Sequence, residues 1–315
     1  MRALLALVIA STVLVSAPAA AQDLGHRLVG TQGLYAGRQR EPGLYVADQL
    51  AYYGADTLRD RDGDVVPVED LRLDAIGNAL GLSLVLEIPG ASTFVTMTAA
   101  VPLARASISS ERPEASIDRF GLGDVFLQPI AFGWRLPHVD VIAGYSVYLP
   151  TGLFRLGEGN LSRGHVTHEL SLGGTLYADE ERRWFATAMA SYDLNQTKEG
   201  IDIRRGDTLA IQGGVGATLF GLVDVGVVGA ALWQVRDDEG MDVPPVLQGA
   251  RDRVYAVGGE IGVALPTLRA RVGARYVHEL DVRSRSEGQV LVFQLGVLAW
   301  SPEPRSLRET ARTER

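Results

Sequence analysis

The sequence has 315 residues, of which 46% are hydrophobic and 22% are charged, with a formal net charge of −8 and no cysteine. The lack of cysteine excludes a disulfide scaffold, a thiolate metal site and the acylated cysteine of a lipoprotein. The mild acidity, without any basic patch, argues against a nucleic-acid partner.

The first 21 residues predict a secretory signal peptide. One arginine precedes an apolar run that begins at Ala3, and Ala19 and Ala21 form an A-x-A cleavage site before Gln22. Beyond it, no run approaches the 18 apolar residues of a spanning helix. Export then leads either to a soluble periplasmic or secreted protein or to an outer-membrane barrel. Residues 22–42 are expected to lie in the periplasm or to enter a barrel as a plug.

The rest of the chain predicts an all-β fold, because glycine is frequent (36 residues) and helical periodicity is scarce. Most candidate strands are longer than the roughly 5–6 residues of a globular strand. Each reaches the roughly 9–11 residues of a tilted transmembrane strand. The twelve candidates are 43–53, 71–86, 91–107, 120–134, 138–149, 165–177, 184–194, 206–219, 222–235, 251–264, 267–278 and 289–300.

The connections between these candidates alternate in length. Links after even-numbered candidates are short, such as EIPG and RLP. Links after odd-numbered ones are long and polar, such as ADTLRDRDGDVVPVED. Bacterial outer-membrane barrels have an even strand number, short periplasmic turns and longer outer loops. The alternation therefore predicts such a barrel, with both of its ends in the periplasm.

The distribution of charge supports this polarity. The stretch TLRARVGARYVHE (267–279) places three arginines on one face and apolar residues on the other. Three arginines facing lipid would cost ~6–12 kcal/mol, so the apolar face is expected to meet lipid. The predicted fold class is a transmembrane outer-membrane β-barrel over residues 43–300, with about twelve antiparallel strands, short periplasmic turns and long outer loops. The residues expected in interfacial aromatic girdles are Tyr52, Tyr53, Trp134, Tyr148, Trp184, Trp233 and Trp300.

The polar faces supply the candidates for a lumen lining. A hairpin through Leu265–Pro266 would pair Glu260 with Arg271 and Ala256 with Arg275. The arginines either brace the wall or attract carboxylate and phenolate permeants. The predicted lumen residues are Asp124, Glu169, Gln212, Glu260, Arg269, Arg271 and Arg275.

Six fragments carry a family resemblance in order along the chain. They are GLGDVFLQPIAFGW (121–134), LPTGLFRLGEGN (149–160), YDLNQTKEG…GD (192–207), VGVVGAALWQVRDDEG (225–240), RVYAVGGEIG (253–262) and RYVHELDVRSRSEGQVLVFQL (275–295). From about Phe120 to Trp300 the chain resembles the phenol-degradation meta-pathway family of outer-membrane transporters. The resemblance implies a barrel that admits aromatic or other hydrophobic compounds. The chain departs from the family pattern at NLSRGHVTHE and QTKEGIDIRRGD, in predicted outer loops, which bears on the substrate. No binding residues come with the resemblance.

The functional hypothesis is passive uptake of small, aromatic or hydrophobic compounds through the outer membrane. A barrel enzyme acting on lipids, a non-conducting structural or adhesive barrel, and a soluble periplasmic β-protein are the alternatives. We expect no catalytic residues, cofactor or metal site. His168 and His278 lack the second histidine of HExxH, and the DRDGD stretch (60–64) has its glycine one place too early for a calcium loop.

The expected partners are outer-membrane lipid and lipopolysaccharide, a small permeant and the barrel-assembly machinery. The sequence does not give the oligomeric state. Residues 301–315 are expected to form a disordered polar tail.

Overall fold

The computed structural model describes residues 25–155 and 160–302, where thirteen strands form one antiparallel sheet. The predicted signal peptide and nearly all of the predicted tail lie outside the described residues. The strands are β1 (Gly43–Arg59), β2 (Arg72–Ile88), β3 (Thr93–Ser110), β4 (Ala115–Leu122), β5 (Val125–Arg135), β6 (Val139–Leu149), β7 (Thr167–Tyr177), β8 (Trp184–Asn195), β9 (Thr208–Leu219), β10 (Val223–Gln234), β11 (Arg253–Leu265), β12 (Ala270–Arg283) and β13 (Arg285–Trp300).

The sheet closes on itself because β1 pairs with both β2 and β13. Twelve strands form the ring, and the thirteenth, β4, extends one edge of it by pairing with β3. The prediction of an all-β, twelve-stranded antiparallel barrel is confirmed. Among the described residues, no helix is long and apolar enough to span a membrane.

The predicted single strand 120–134 is two strands, β4 and β5. The chain leaves the ladder at Gly123 and Asp124, where the Gly123 N–H donates to Pro102 O at 3.0 Å. Pro102 has no backbone N–H, so it cannot donate the second hydrogen bond that a ladder pair would make at this position. The ladder is therefore interrupted there, and β5 resumes the pairing with β3 from Phe126, opposite Ala100.

The side chains have the polarity of a membrane barrel. Along β7, Leu170, Leu172 and Leu176 point outward and are 52–62% exposed. Glu169 and Thr175, on the other face of the same strand, are 4% and 0% exposed. Alternate residues of a strand point to opposite faces, so the apolar face meets hydrocarbon and the polar face lines the interior. This is the polarity that the sequence predicts.

Two ends of the barrel can be distinguished by their connections. The turn end carries the short links 89–92, 136–138, 178–183, 220–222 and 266–269, together with Gly43 and Trp300. The loop end carries the longer links 60–71, 150–166, 196–207 and 235–252. Because bacterial barrels place short turns in the periplasm, we assign the turn end to that side.

The predicted alternation of short and long links fails at the loop end between β12 and β13. The prediction of a long loop there is wrong, since only Ser284 separates the two strands. Their mutual ladder ends at His278 and Gln289. Beyond this point β12 continues along β11, while β13 continues along β1 as far as Arg285. The polar residues 279–288, which the sequence pattern predicts to form a loop, are therefore mostly extended, because β12 still pairs with β11 there and β13 still pairs with β1.

The predicted register between β11 and β12 is also wrong. Glu260 lies opposite Arg275, and Arg271 lies opposite Ala264. The cause is a four-residue turn, 266–269, in place of the two-residue link assumed from Leu265–Pro266. A short 3₁₀ segment, Pro266–Leu268, and a left-handed Arg269 (φ 49°) make this turn.

Candidate functional site

Residues 25–42, which we call the lumen segment, precede β1 and run through the inside of the barrel. At the turn end the Gln39 N–H donates to Asp140 Oδ2 at 3.1 Å. Midway, the Leu34 N–H donates to Glu260 Oε2 at 2.8 Å. Near the loop end, the Arg27 guanidinium reaches β7 and β8. The segment therefore contacts the wall along the whole length of the bore.

The strongest charge cluster is at the loop end, around Arg27. Its guanidinium Nη2 contacts Glu169 and also lies 3.1 Å from Asp193 Oδ1, and the three side chains are only 5–6% exposed. Tyr148 donates to Glu169 at 3.4 Å, and Thr208 donates to Asp193 at 3.1 Å. Buried charges are tolerated when they are paired and hydrogen-bonded. One arginine of the lumen segment thus serves as the counter-ion for two wall carboxylates.

His26 makes a second contact at the same end. Its Nε2 lies 2.8 Å from Asp124 Oδ2, and its Nδ1 lies 2.9 Å from Thr167 Oγ1. The ring stacks on Tyr148 with a centroid separation of 4.9 Å. Asp124 can reach His26 because it lies at the break between β4 and β5, where it also accepts the Arg163 N–H at 2.7 Å.

The middle of the bore is held by Glu260. It accepts hydrogen bonds from Arg275 Nε at 2.8 Å, from the Leu34 N–H at 2.8 Å and from Gln294 Nε2 at 3.0 Å. Arg275 also donates to Gly30 O at 3.1 Å. This buried pair lies between the wall and the lumen segment and joins them.

Two glycines allow the lumen segment to pass so close to the wall. A β-carbon on Gly33 would lie 2.0 Å from Glu260 Oε2, and one on Gly37 would lie 2.3 Å from Gly174 O. Real β-carbons do not approach other atoms this closely, so larger residues at these two positions would push the segment off the wall. The close fit depends on the absence of side chains.

The turn end contains an open cavity of about 680 Å³ between the lumen segment and β5, β6 and β7. Arg38, Arg135 and Arg182 line it together with Asp140 and Tyr177. A second cavity of about 290 Å³ adjoins it and shares Arg38 and Arg182. We call the two cavities together the vestibule.

The short turn 178–183 supports part of this vestibule. The Trp184 N–H donates to Asp179 at 2.8 Å, and Arg183 Nε donates to the same carboxylate at 2.9 Å. These donors hold the pKa of Asp179 below its usual value. The ionised carboxylate fixes the turn that carries Arg182, whose guanidinium donates to Asp140 at 3.1 Å.

Most of the predicted lumen residues lie inside the bore. Asp124, Glu169, Gln212, Glu260 and Arg275 face inward and contact the lumen segment, Gln212 by accepting the Gly30 N–H at 2.8 Å.

Arg271 lies at the turn end, where it pairs with Asp224. Arg269 does not line the bore. It is exposed in the turn before β12, and its Nη2 donates to Ser301 Oγ at 2.6 Å. The side chains of Asp124 and Glu169 meet at the loop end, whereas Glu260 meets Arg275 near the middle.

Two of the predicted girdle residues face the lumen. Tyr53 is 5% exposed and donates to Glu279 at 3.0 Å, and Tyr148 contacts Glu169 and His26. By contrast, Trp184 and Trp300 are 59% and 51% exposed on the outside. Tyr52 and Tyr53 are adjacent in one strand, so only one of them can face the membrane.

The sequence patterns do not identify the individual contact residues of the lumen segment. Arg27, Leu34 and Arg38 carry no strand periodicity. Two signals were available: glycines at positions 25, 30, 33 and 37, and cationic residues close to the predicted cleavage site.

The surroundings of His168 and His26 do not match those of a catalytic base beside a nucleophile. On the outer face, His168 Nδ1 lies 2.8 Å from Tyr145 Oη. Inside, Thr167, His26 and Asp124 form a line, but the Thr167 hydroxyl donates to Asn195 Oδ1 at 2.6 Å and is 1% exposed. A nucleophile needs to give its proton to the neighbouring base, and here that proton points elsewhere. No group of three or more potential metal ligands occurs within 25–155 and 160–302.

The fold and the inside-out polarity define an outer-membrane β-barrel. The family described as "Putative MetA-pathway of phenol degradation" matches residues 55–295, more than three quarters of the chain. The chain belongs to this family. No curated protein matches it.

Among solved structures, an outer-membrane channel from Pseudomonas putida F1 is similar, with a TM-score of 0.74 and 13% identity, over 83% of this chain and 97% of that one. This likeness shows the fold. The CymD monoaromatic hydrocarbon channel (TM-score 0.42, 8% identity, 82% and 89% covered) and the translocator domain of the autotransporter NalP from Neisseria meningitidis (TM-score 0.48, 12% identity, 82% and 89% covered) are more distant.

Proposed function

We propose that this protein is a passive outer-membrane channel for small aromatic or hydrophobic compounds. Membership of the phenol-degradation family supports the compound class. The closed ring with an apolar exterior and a polar bore supports a path across the membrane. Eight-stranded barrels are filled by their own side chains, and barrels of sixteen or more strands leave a wide pore. Twelve strands fit a narrow, controlled path.

The observation that carries the proposal is that the lumen segment, which belongs to no strand, runs through the bore and contacts the wall at both ends and in the middle. Within the described residues, the lumen segment continues into the wall at Gly43, and it lies against the wall through hydrogen bonds and ion pairs. If the segment moves, the polar wall groups can be hydrated and a path opens. A structural or adhesive barrel needs no such removable filling.

A disulfide lock tests this arrangement, because the natural chain has no cysteine. A β-carbon on Gly30 would lie 3.5 Å from Val277 Cβ, within the separation that disulfides use, so the lock is the double variant Gly30→Cys with Val277→Cys. Gly30→Cys costs roughly 1–2 kcal/mol for its φ of +86°, and beside an intact Val277 its β-carbon would also lie 2.4 Å from Val277 Cγ2. The controls are therefore the reduced double variant, which carries the same substitutions, and the single variant Val277→Cys.

The assay is uptake of phenol and benzyl alcohol by proteoliposomes. We expect the reduced double variant and the single variant Val277→Cys to conduct, and the oxidised double variant to be blocked until a reductant is added. Equal uptake with and without protein would contradict the channel and favour the structural or adhesive barrel. Contacts with lipopolysaccharide and with the assembly machinery stay predictions.

A further inference from the structure

The vestibule carries more positive than negative charge. Three arginines and two carboxylates line the larger cavity, and four arginines and two carboxylates line the smaller one. Glu41 forms an ion pair with Arg135 at 2.7 Å, and Asp140 forms one with Arg182 at 3.1 Å. Arg183 lies 3.5 Å from Glu181, so the excess positive charge lies around Arg38, which lines both cavities, and Arg271, which lines the smaller one.

At that place two arginines share one carboxylate. Arg271 pairs with Asp224, while Arg38 Nη1 lies 3.7 Å from the same oxygen. Among the described residues, the buried Nε of Arg271 has no hydrogen-bond acceptor, and neither has the buried Nε of Arg135. Buried donors normally have acceptors. The vestibule thus offers more N–H groups and more positive charge than its own acceptors match.

The arginines also lie against aromatic rings. The guanidinium of Arg271 is 3.8 Å from the centre of the Tyr35 ring. That of Arg38 is 5.1 Å from Tyr35 and 4.8 Å from Phe185, and that of Arg182 is 4.4 Å from the Tyr177 ring. Planar guanidinium groups stack on rings and bind carboxylates through their edges. The arrangement suits a ligand that has both a ring and a carboxylate.

We propose that the vestibule is a binding site for aromatic carboxylates, with Arg38 as the central contact and Arg271 and Arg182 beside it. An arene would stack on a guanidinium face, and its carboxylate would accept the unmatched N–H groups. The larger cavity, at about 680 Å³, is spacious enough for a single-ring acid. This inference rests on the proposed function, since it names the permeant class within the aromatic compounds.

Because Tyr35 and Arg38 belong to the lumen segment, the segment and the wall build the site together. A change at Arg38 could act by releasing the segment rather than by removing a contact. The variant Val29→Cys, at a position that is 0% exposed, separates these effects. Its thiol, which we call the reporter cysteine, reacts with a membrane-impermeant maleimide only when the segment leaves the bore.

The test measures ligand binding to the purified full barrel in lipid nanodiscs at pH 7 by saturation-transfer NMR. The probes are benzoate, benzyl alcohol, benzylamine and acetate. We expect benzoate to bind at least about tenfold more tightly than each of the other three, because a hydrogen bond to a charged group is worth roughly ten- to hundredfold in affinity. Equal binding of benzoate and benzyl alcohol, or of benzoate and acetate, would overturn the proposal.

Substitutions at Arg38 and Arg251 test whether the vestibule itself binds the carboxylate. Arg38→Gln is expected to weaken benzoate binding about tenfold or more and to leave benzyl alcohol binding unchanged. In the double variant Arg38→Gln with Val29→Cys, the reporter cysteine should stay protected from the maleimide. Arg38→Lys is expected to restore part of the loss. Arg251→Gln removes one positive charge at the loop end, from a pair that is 51% exposed on both sides, and should change nothing. Equal loss in Arg251→Gln and Arg38→Gln would refute the site.

Binding and transport can fail separately. If phenol crosses proteoliposomes but benzoate does not bind, the vestibule site is wrong and the channel stands. If benzoate binds but no aromatic compound crosses, the site stands and the proposed function is wrong.

Discussion

The ion pairs of Arg27 give the sharpest prediction about the lumen segment. Arg27→Met keeps an unbranched apolar side chain of similar length but leaves Glu169 and Asp193 without their counter-ion. All three side chains are 5–6% exposed, so the values for buried rather than surface pairs apply. Removing one partner of a buried pair costs about 3–5 kcal/mol. The cost falls on the inserted state, because the carboxylates are hydrated once the segment leaves. We expect the balance between inserted and released segment to shift by roughly two to nearly four orders of magnitude.

Single-channel recording in planar bilayers measures this shift. Arg27→Met should open more often and for longer than the wild type, and the reporter cysteine of Val29→Cys should react faster with an impermeant maleimide when Arg27→Met is added. Adding Glu169→Gln and Asp193→Asn should reverse both effects, since a neutral cluster needs no counter-ion. Unchanged conductance together with unchanged labelling in Arg27→Met would refute the view that this pair holds the segment in place.

Three further predictions concern selectivity and stability. Deleting residues 25–41 exposes wall carboxylates that the segment now covers, so the reversal potential in a KCl gradient should show cation preference; anion preference would contradict this charge assignment. Glu260→Gln removes the acceptor charge of the buried Arg275 pair and should lower the temperature of the heat-induced gel shift clearly. Arg105→Gln, at a pair that is 60% and 52% exposed, should change stability by only about 0–1 kcal/mol, and equal shifts in both variants would count against the role of burial. Leu172→Arg, in the middle of the lipid face of β7, should cost about 2–4 kcal/mol in refolding into liposomes, whereas Phe220→Arg in a short turn should cost about 0–1 kcal/mol; similar yields would contradict the assigned polarity.

The sequence alone was sufficient for the fold class and for the direction in which most strand residues face. Hydrocarbon strongly disfavours charge, so each strand must keep Asp, Glu, Lys and Arg off its lipid side, and this constraint is visible as a period of two. Leu172 and Glu169 could be assigned to opposite sides for this reason. The ring closure and its twelve strands followed from counting such segments.

The register between strands could not be obtained in this way. The assumed pairing placed Arg271 opposite Glu260, and the structure places Arg275 there. The two arginines are four residues apart, so both registers keep every side chain on the same face. Only the four-residue turn before β12 distinguishes them.

The sequence by itself determined the barrel and its inside-out polarity, because those depend on each residue's own cost of facing lipid. The tertiary structure decided what occupies the bore. Arg27 meets Glu169 and Asp193 across 142 and 166 positions of sequence, and Tyr148 turns inward to the same cluster. Such contacts depend on the path of a segment that has no periodicity, and only the closed barrel brings those side chains together.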